Sequence, residues 1–380
     1  MRKFIIFLTV FVILIGSFPV SAAEDVSTSA RAFVLTDEFG DIIFENNAHT
    51  RLPMASTTKI MTAIVALDNL DLGDIVSVPK EAVGVEGSSA YLKEGEKLTV
   101  NDLLNALLLQ SANDAAISLA VAAKGSTEDF CAQMNEKAEK MGLVNTHFDN
   151  PHGLDSENHY TTAYELAIIT AKAFEIPTLA DIMGTKKYTC VSDAGTQRTF
   201  VNHNRLPALY EYCIGGKTGY TKADGRCLAT AAENNGVRLI AVTLDAPNDW
   251  SDHQKLYNAG FDMYSEQKMC GAYEFEYSLN VVGSDVDSVK CSNTAAVFAH
   301  VRNNCEITTA VELSDFEYAP ICEGQSVGRV VFLQNGNEIA YAELVATEDA
   351  KTEETKEQIG FWHKIINFFK NIFGAIFARK

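Results

Sequence analysis

What this 380-residue sequence lacks narrows it first. Positive charge is scarce: 31 Lys and Arg stand against 50 Asp and Glu, a formal net charge of −19. So acidic a surface excludes nucleic acid as a partner. Long apolar runs are missing as well, since the N-terminal stretch from Phe4 to Gly16 is short for a membrane span. None of the eight cysteines forms a Cys-x-x-Cys pair, which argues against a structural zinc site. No His-Glu-x-x-His occurs either, so the zinc-peptidase signature is absent. His147, His152 and His159 crowd one polar loop and offer a rival zinc-carboxypeptidase reading. Without ligand spacing they read better as loop residues, with His152-Gly153-Leu154 shaping the rim of a site elsewhere.

What is present at the N-terminus is a leader. Met1-Arg2-Lys3, the apolar run and then Ser21-Ala22-Ala23 describe a secretory signal peptide over residues 1–23. Its removal takes Arg2 and Lys3 away and leaves the chain at −21. No cysteine follows the cleavage site, so lipid attachment there is not indicated. The even count, at 131, 190, 213, 227, 270, 291, 305 and 322, permits disulfides in an exported chain without fixing their connectivity. Cys213 and Cys227 flank a turn between two expected strands, and a cross-strand disulfide between them is one expectation, subject to register.

The body of the chain has the length and apolar content for two domains. Ala32–Leu35 and Ile42–Phe44 read as a hairpin around Asp37-Glu38-Phe39-Gly40. Thr99-Val100-Asn101-Asp102 is a capping-box start for an apolar helix, Leu103 to Leu109, and a second helix from Ala115 follows the polar bend Gln110–Asp114. Helices are also expected over 126–141 and 162–174, and strands over 213–221, 227–232 and 237–244. Strands at both ends with helices between them imply an α/β or α+β layered domain over 24–271. Residues 272–346 read as a small all-β domain: Phe275, Tyr277, Leu279 and Val281 alternate with polar neighbours, and Asn335-Gly336 is a two-residue hairpin signal. A polar linker, 347–358, leads to 359–380, where ten large apolar residues share a helical stripe with Lys364, Lys370, Arg379 and Lys380. That stretch reads as an amphipathic helix lying on a membrane surface.

Chemistry enters at Met54-Ala55-Ser56-Thr57-Thr58-Lys59. Ile60, Met61, Ile64, Val65 and Leu67 give one apolar helical face, so Ser56 sits at the mouth of a buried helix with Lys59 one turn further in. Residues three apart share a face, and a lysine held in a dry helix can take a serine proton. Two other Ser-x-x-Lys matches, Ser77 to Lys80 and Ser265 to Lys268, open no apolar helix. Ser111-x-Asn113 falls in the bend between helices, and Lys217-Thr218-Gly219, which occurs once, falls on a strand. This ordered trio is the pattern of penicillin-binding proteins and serine β-lactamases.

From Ala32 to Leu244 the sequence resembles the low-molecular-mass penicillin-binding proteins, the serine-type D-alanyl-D-alanine carboxypeptidases. Arg51–Thr62, Gln110–Ala115, His152-Gly153-Leu154-Asp155 and Gly215–Thr221 carry the resemblance, with Tyr220 where that family often has His. It implies a β-lactamase/penicillin-binding-protein-like transpeptidase fold, no metal and no cofactor. Ser56, Lys59 and Ser111 are the implied catalytic residues; Asn113, Lys217, Thr218, Gly219, Tyr220 and Thr221 are the implied substrate-binding ones, with Asn113 orienting Lys59 as well as the substrate amide. Peptidoglycan stem peptides are the implied substrate and β-lactams the covalent inhibitors, acting at the outer face of the cytoplasmic membrane. A DD-endopeptidase on cross-links would use the same residues. A β-lactamase would need neither the β domain nor the tail, and no Glu-x-x-x-Asn element of the class A type occurs. A non-catalytic peptidoglycan-binding protein would not need the trio intact.

Overall fold

The computed structural model describes residues 26–353; the signal peptide and the amphipathic tail expected from the sequence lie outside them. Contacts divide the described chain between Ser265 and Glu266 into two units.

The first unit is built on one antiparallel sheet. β1 (Ala32–Asp37) and β2 (Ile42–Asn46) form the expected hairpin, and three later strands complete the order β2-β1-β9-β8-β7. These are β7 (Cys213–Thr221), β8 (Gly225–Asn234) and β9 (Val237–Leu244), preceded by β3 (Ile75–Ser77), β4 (Lys97–Thr99), β5 (Lys187–Val191) and β6 (Gln197–Val201), which make two small hairpins. The helices are α1 (Lys59–Leu67), α2 (Val100–Leu109), α3 (Asn113–Lys124), α4 (Thr127–Lys140), α5 (Ala163–Phe174), α6 (Pro177–Gly184), the short α7 (Leu206–Leu209) and α8 (Asp249–Phe261).

Both faces of the sheet are covered, which explains its almost uninterrupted apolar strands. Val34, Ile240 and Val242 join the large core under α1, α2 and α5, while Phe33, Leu35, Leu239 and Ala241 face Leu256 and Tyr257 of α8. The α2 capping box forms as expected, Thr99 Oγ1 accepting from the Asp102 N–H at 3.0 Å. Ser77 ends a strand and Ser265 lies within β10 (Tyr264–Cys270), so neither spare Ser-x-x-Lys pair is helical.

The cross-strand disulfide is overturned by register. Cys213 stands opposite Ala232 and Cys227 opposite Gly219, six positions apart along β7. At about 3.3 Å per residue that separation is near 20 Å, far beyond disulfide reach.

After β10 come β11 (Glu276–Val282), β12 (Ser288–Ser292), β13 (Val297–Arg302), β14 (Ile307–Leu313), β15 (Phe316–Tyr318), β16 (Ser326–Gln334) and β17 (Asn337–Ala346). Six of them form a sheet ordered β14-β16-β17-β12-β11-β15, and β10 pairs with β13. Asn335 and Gly336, with φ of 51° and 84°, make the β16–β17 turn, the left-handed pair that suits the twist of a tight hairpin. Leu279, Val281 and Val289 form one core, Val330, Phe332 and Leu344 another, so this all-β unit has apolar centres of its own.

Candidate active site

Ser56 lies in a single 3₁₀ turn, Ala55–Thr58, that feeds α1. The turn is shaped by Ala55, a non-glycine residue at φ +47° and 1 % exposed. Such a conformation persists only where neighbours over-determine it. The Ala55 carbonyl accepts from Thr58 Oγ1 at 2.7 Å, and Thr58 Oγ1 lies 2.7 Å from His159 Nε2. The Asp149 N–H donates to His159 Nδ1 at 3.1 Å, so the ring proton sits on Nε2 and points at Thr58. Burial keeps this imidazole neutral, its pKa lowered to about 4. From the other side Gly153 closes on the same carbonyl: at φ +85°, a Cβ there would lie 2.0 Å from Ala55 O.

Lys59 Nζ donates to Ser56 Oγ at 2.8 Å and also to the backbone carbonyl of His152. The side chain is wholly buried. Burial holds its pKa well below the ordinary lysine value, and the nearby Lys217 cation lowers it further against the opposing pull of Asp114. Lys217, 1 % exposed, projects from edge strand β7, and burial lowers its pKa to about 7. Its Nζ donates to Ser111 Oγ at 3.0 Å and to the Thr218 carbonyl at 2.7 Å.

Ser111 stands in the bend between α2 and α3 at φ +60°, buried, which turns its hydroxyl to the lysine. Gly219 runs against the nucleophile turn; a Cβ on it would lie 3.0 Å from the Ser56 N. Tyr220 is 65 % exposed, and Thr221 Oγ1 accepts from the Asp224 N–H at 3.0 Å. Asn113 departs from one sequence-based role. Its Nδ2 donates to the Glu86 carbonyl at 2.6 Å and its buried Oδ1 finds no partner among the described residues. It therefore makes no hydrogen bond to Lys59.

The loop histidines are occupied in shaping that loop. His147 Nδ1 lies 2.7 Å from the Asn158 carbonyl, and His152 Nδ1 accepts from the Leu154 N–H at 3.2 Å. Thr62 Oγ1 of α1 donates to the Pro151 carbonyl at 2.6 Å, tying loop to helix. Beside the turn a cleft of about 630 Å³ is lined by Leu52, Pro53, Asp155, His159 and Asp224 among others. Burial, with Asp155 beside it, raises the Asp224 carboxyl to about 6. Neither the Ala55–His159 chain nor Asp224 was legible in the sequence, because a lone histidine or aspartate carries no spacing signal.

Residues 19–248 match the family described as D-alanyl-D-alanine carboxypeptidase. The chain belongs to that family. Residues 265–352 match the C-terminal domain of penicillin-binding protein 5. Among curated relatives, the D-alanyl-D-alanine carboxypeptidase DacF of Bacillus subtilis is 28% identical over 357 residues, covering 90% of this chain and 92% of its own. DacC of Escherichia coli is 31% identical over 379 residues, covering 93% and 92%. Among solved structures, the carboxypeptidase DacD from Francisella tularensis superposes with a TM-score of 0.62 at 25% identity, covering 90% of this chain and 98% of that one. Penicillin-binding protein 5 from Haemophilus influenzae gives 0.60 at 28% identity, covering 88% and 100%. The chain is thus a serine peptidase with the mixed α/β catalytic domain and β-rich C-terminal domain of this family.

Proposed function

We propose that the protein removes the terminal D-alanine from peptidoglycan stem peptides through an acyl-enzyme on Ser56. The observation that carries this reading is the 2.8 Å contact between Ser56 Oγ and the fully buried Lys59 amine. Lys59, neutral before attack, takes the hydroxyl proton as Oγ bonds to the carbonyl carbon between the two D-alanines. The C–N bond then breaks, and the leaving amine receives a proton through Ser111. Water hydrolyses the ester and restores Ser56. The backbone N–H groups of Ser56 and Tyr220 stabilise the oxyanion, a donor typically contributing about 3–4 kcal/mol. Lys217, Thr218 and Thr221 receive the substrate carboxylate, Asn113 Oδ1 accepts a substrate amide N–H, and Gly219 lets the peptide backbone approach.

β-Lactams present an amide to the same serine and acylate it. Incubation with penicillin is expected to add one covalent adduct on the peptide containing Ser56, and Ser56→Ala to abolish it, as read by mass spectrometry. An adduct persisting in that variant at another serine would overturn the assignment.

Export by residues 1–23 and surface attachment by 359–380 belong to the same reading. The tail sets four cations beside an apolar stripe, whereas the body is acidic, and each cation near an anionic bilayer contributes about 1 kcal/mol. Truncation after Gln358 is expected to end co-sedimentation with anionic vesicles while sparing activity on small peptides. Undiminished vesicle binding would refute the tail as anchor.

A further inference from the structure

Asn113 is held in place by a segment the trio does not include. Its Nδ2 donates to the Glu86 carbonyl, and its N–H donates to the Ser88 carbonyl at 2.8 Å. The adjoining Asp114 carboxylate accepts from Ser89 Oγ at 2.7 Å and from the N–H groups of Ala90 and Leu92, both at 3.0 Å. The same segment is gripped from β6. Arg198 Nε donates to the Ala90 carbonyl at 2.9 Å and Nη2 to the Tyr91 carbonyl at 3.0 Å. The guanidinium also meets both carboxylate oxygens of Glu96, at 2.5 and 2.8 Å.

The side chains of this ion pair are 10 % and 2 % exposed. A pair buried so deeply is weak evidence for stabilisation, because desolvation consumes the Coulombic gain. What it does hold is strained backbone. Tyr91 sits at φ +56° with its ring 82 % exposed, so no packing of the ring fixes that conformation. Gly87, at φ +92°, lies so close that a Cβ would be 2.8 Å from Asn113 Nδ2.

We propose that the Arg198–Glu96 pair is a positioning device for Asn113, making the enzyme select substrates that offer an amide N–H at the penultimate D-alanine. By fixing residues 90 and 91 the clamp sets the Glu86 carbonyl, which consumes the donor of Asn113 and turns its acceptor to the substrate. A buried acceptor left unpaired rejects an analogue that lacks the N–H. This rests on the reading of Asn113 given above.

The test uses the full mature chain and two peptides, the normal acylated D-alanyl-D-alanine and an analogue with an ester oxygen replacing the N–H of the penultimate residue. Arg198→Lys keeps the charge and loses the fork. It is expected to lower kcat/KM on the amide peptide by up to about 100-fold, the cost of a displacement near 1 Å, and to leave the ester peptide nearly unchanged. Glu96→Gln and Gly87→Ala, which disturb the segment from other points, should give the same pattern, so the test survives misfolding of any one variant. Equal losses on both peptides, or no loss on the amide, would overturn the clamp. If Asn113→Ala itself fails to discriminate between the peptides, the reading of Asn113 falls instead. Discrimination by Asn113→Ala without discrimination by the clamp variants removes the clamp alone.

Discussion

The most unfavourable residues in the first unit are the two lysines at its centre. Lys59 and Lys217 are 0 % and 1 % exposed, and neither has a carboxylate within ion-pair distance among the described residues. Their pKa values fall because burial disfavours the ammonium form. A lysine that binds its proton less tightly when folded makes stability rise with pH between its folded and unfolded pKa, for Lys217 from about 7 towards 10.5. Near pH 7 the burial is therefore a standing cost. Lys217→Met is expected to raise stability by about 1–4 kcal/mol, as replacing buried charge by apolar volume can, while abolishing turnover. Thermal melting checks the first and peptide hydrolysis the second. Lys59→Arg, which cannot deprotonate, should slow acylation about 100- to 10,000-fold. In the unaltered enzyme the acylation rate should climb with pH along a limb well below the ordinary lysine range.

At the scale of elements, the site is a meeting of a helix start, an inter-helix bend and a sheet edge, and these were unequally legible. Apolar spacing after Ser56, the capping box at Thr99 and the run ending at Leu109 depend on local chemistry, and each appears at its expected place. Fold class and family followed from such local signals. Residues 245–263 carried no clear period, yet α8 forms there because Leu256 and Tyr257 have a sheet face to cover. Strand register was equally hidden, and it decided against the Cys213–Cys227 bridge. Least legible was the support of Ala55 by the 147–160 loop, since contacts about a hundred residues apart leave no local pattern. That support is testable. Gly153→Ala would drive a methyl group into the Ala55 carbonyl, and the turn must then shift. Penicillin acylation is expected to fall by at least about 100-fold, given how steeply rate depends on a 1 Å placement, with the circular dichroism of the fold retained. Wild-type acylation in that variant would mean the turn keeps its shape without the loop.

Across the whole molecule, buried histidines set the acid limit. His159 and His253 are 3 % and 0 % exposed, with pKa values lowered by burial to about 4 and about 3. The unfolded chain takes up protons from about pH 6.5 downwards while the folded one does not, so stability is fully present above 6.5 and drains as pH falls towards 4. Asp224, its carboxyl raised to about 6, works in the opposite sense, but it is one group against two. Urea melts at pH 5 are expected to show a loss on the order of 1–2 kcal/mol per histidine relative to pH 7, and His253→Gln should remove one share of it. The thiols of the first unit carry a different consequence. Cys131, Cys190, Cys213 and Cys227 are all buried, and burial lifts their pKa values to about 12, 11, 12 and 12. A thiol that cannot ionise neither attacks nor is readily oxidised. In the unfolded chain the same four sulfurs ionise normally and can join in any pairing. Folding and oxidation are thus rivals in time: whichever reaches β7 and β8 first decides whether Cys213 and Cys227 are sealed apart or cross-linked in a pairing no native register allows. Exported chains escape the trap only by closing the sheet faster than an oxidant arrives.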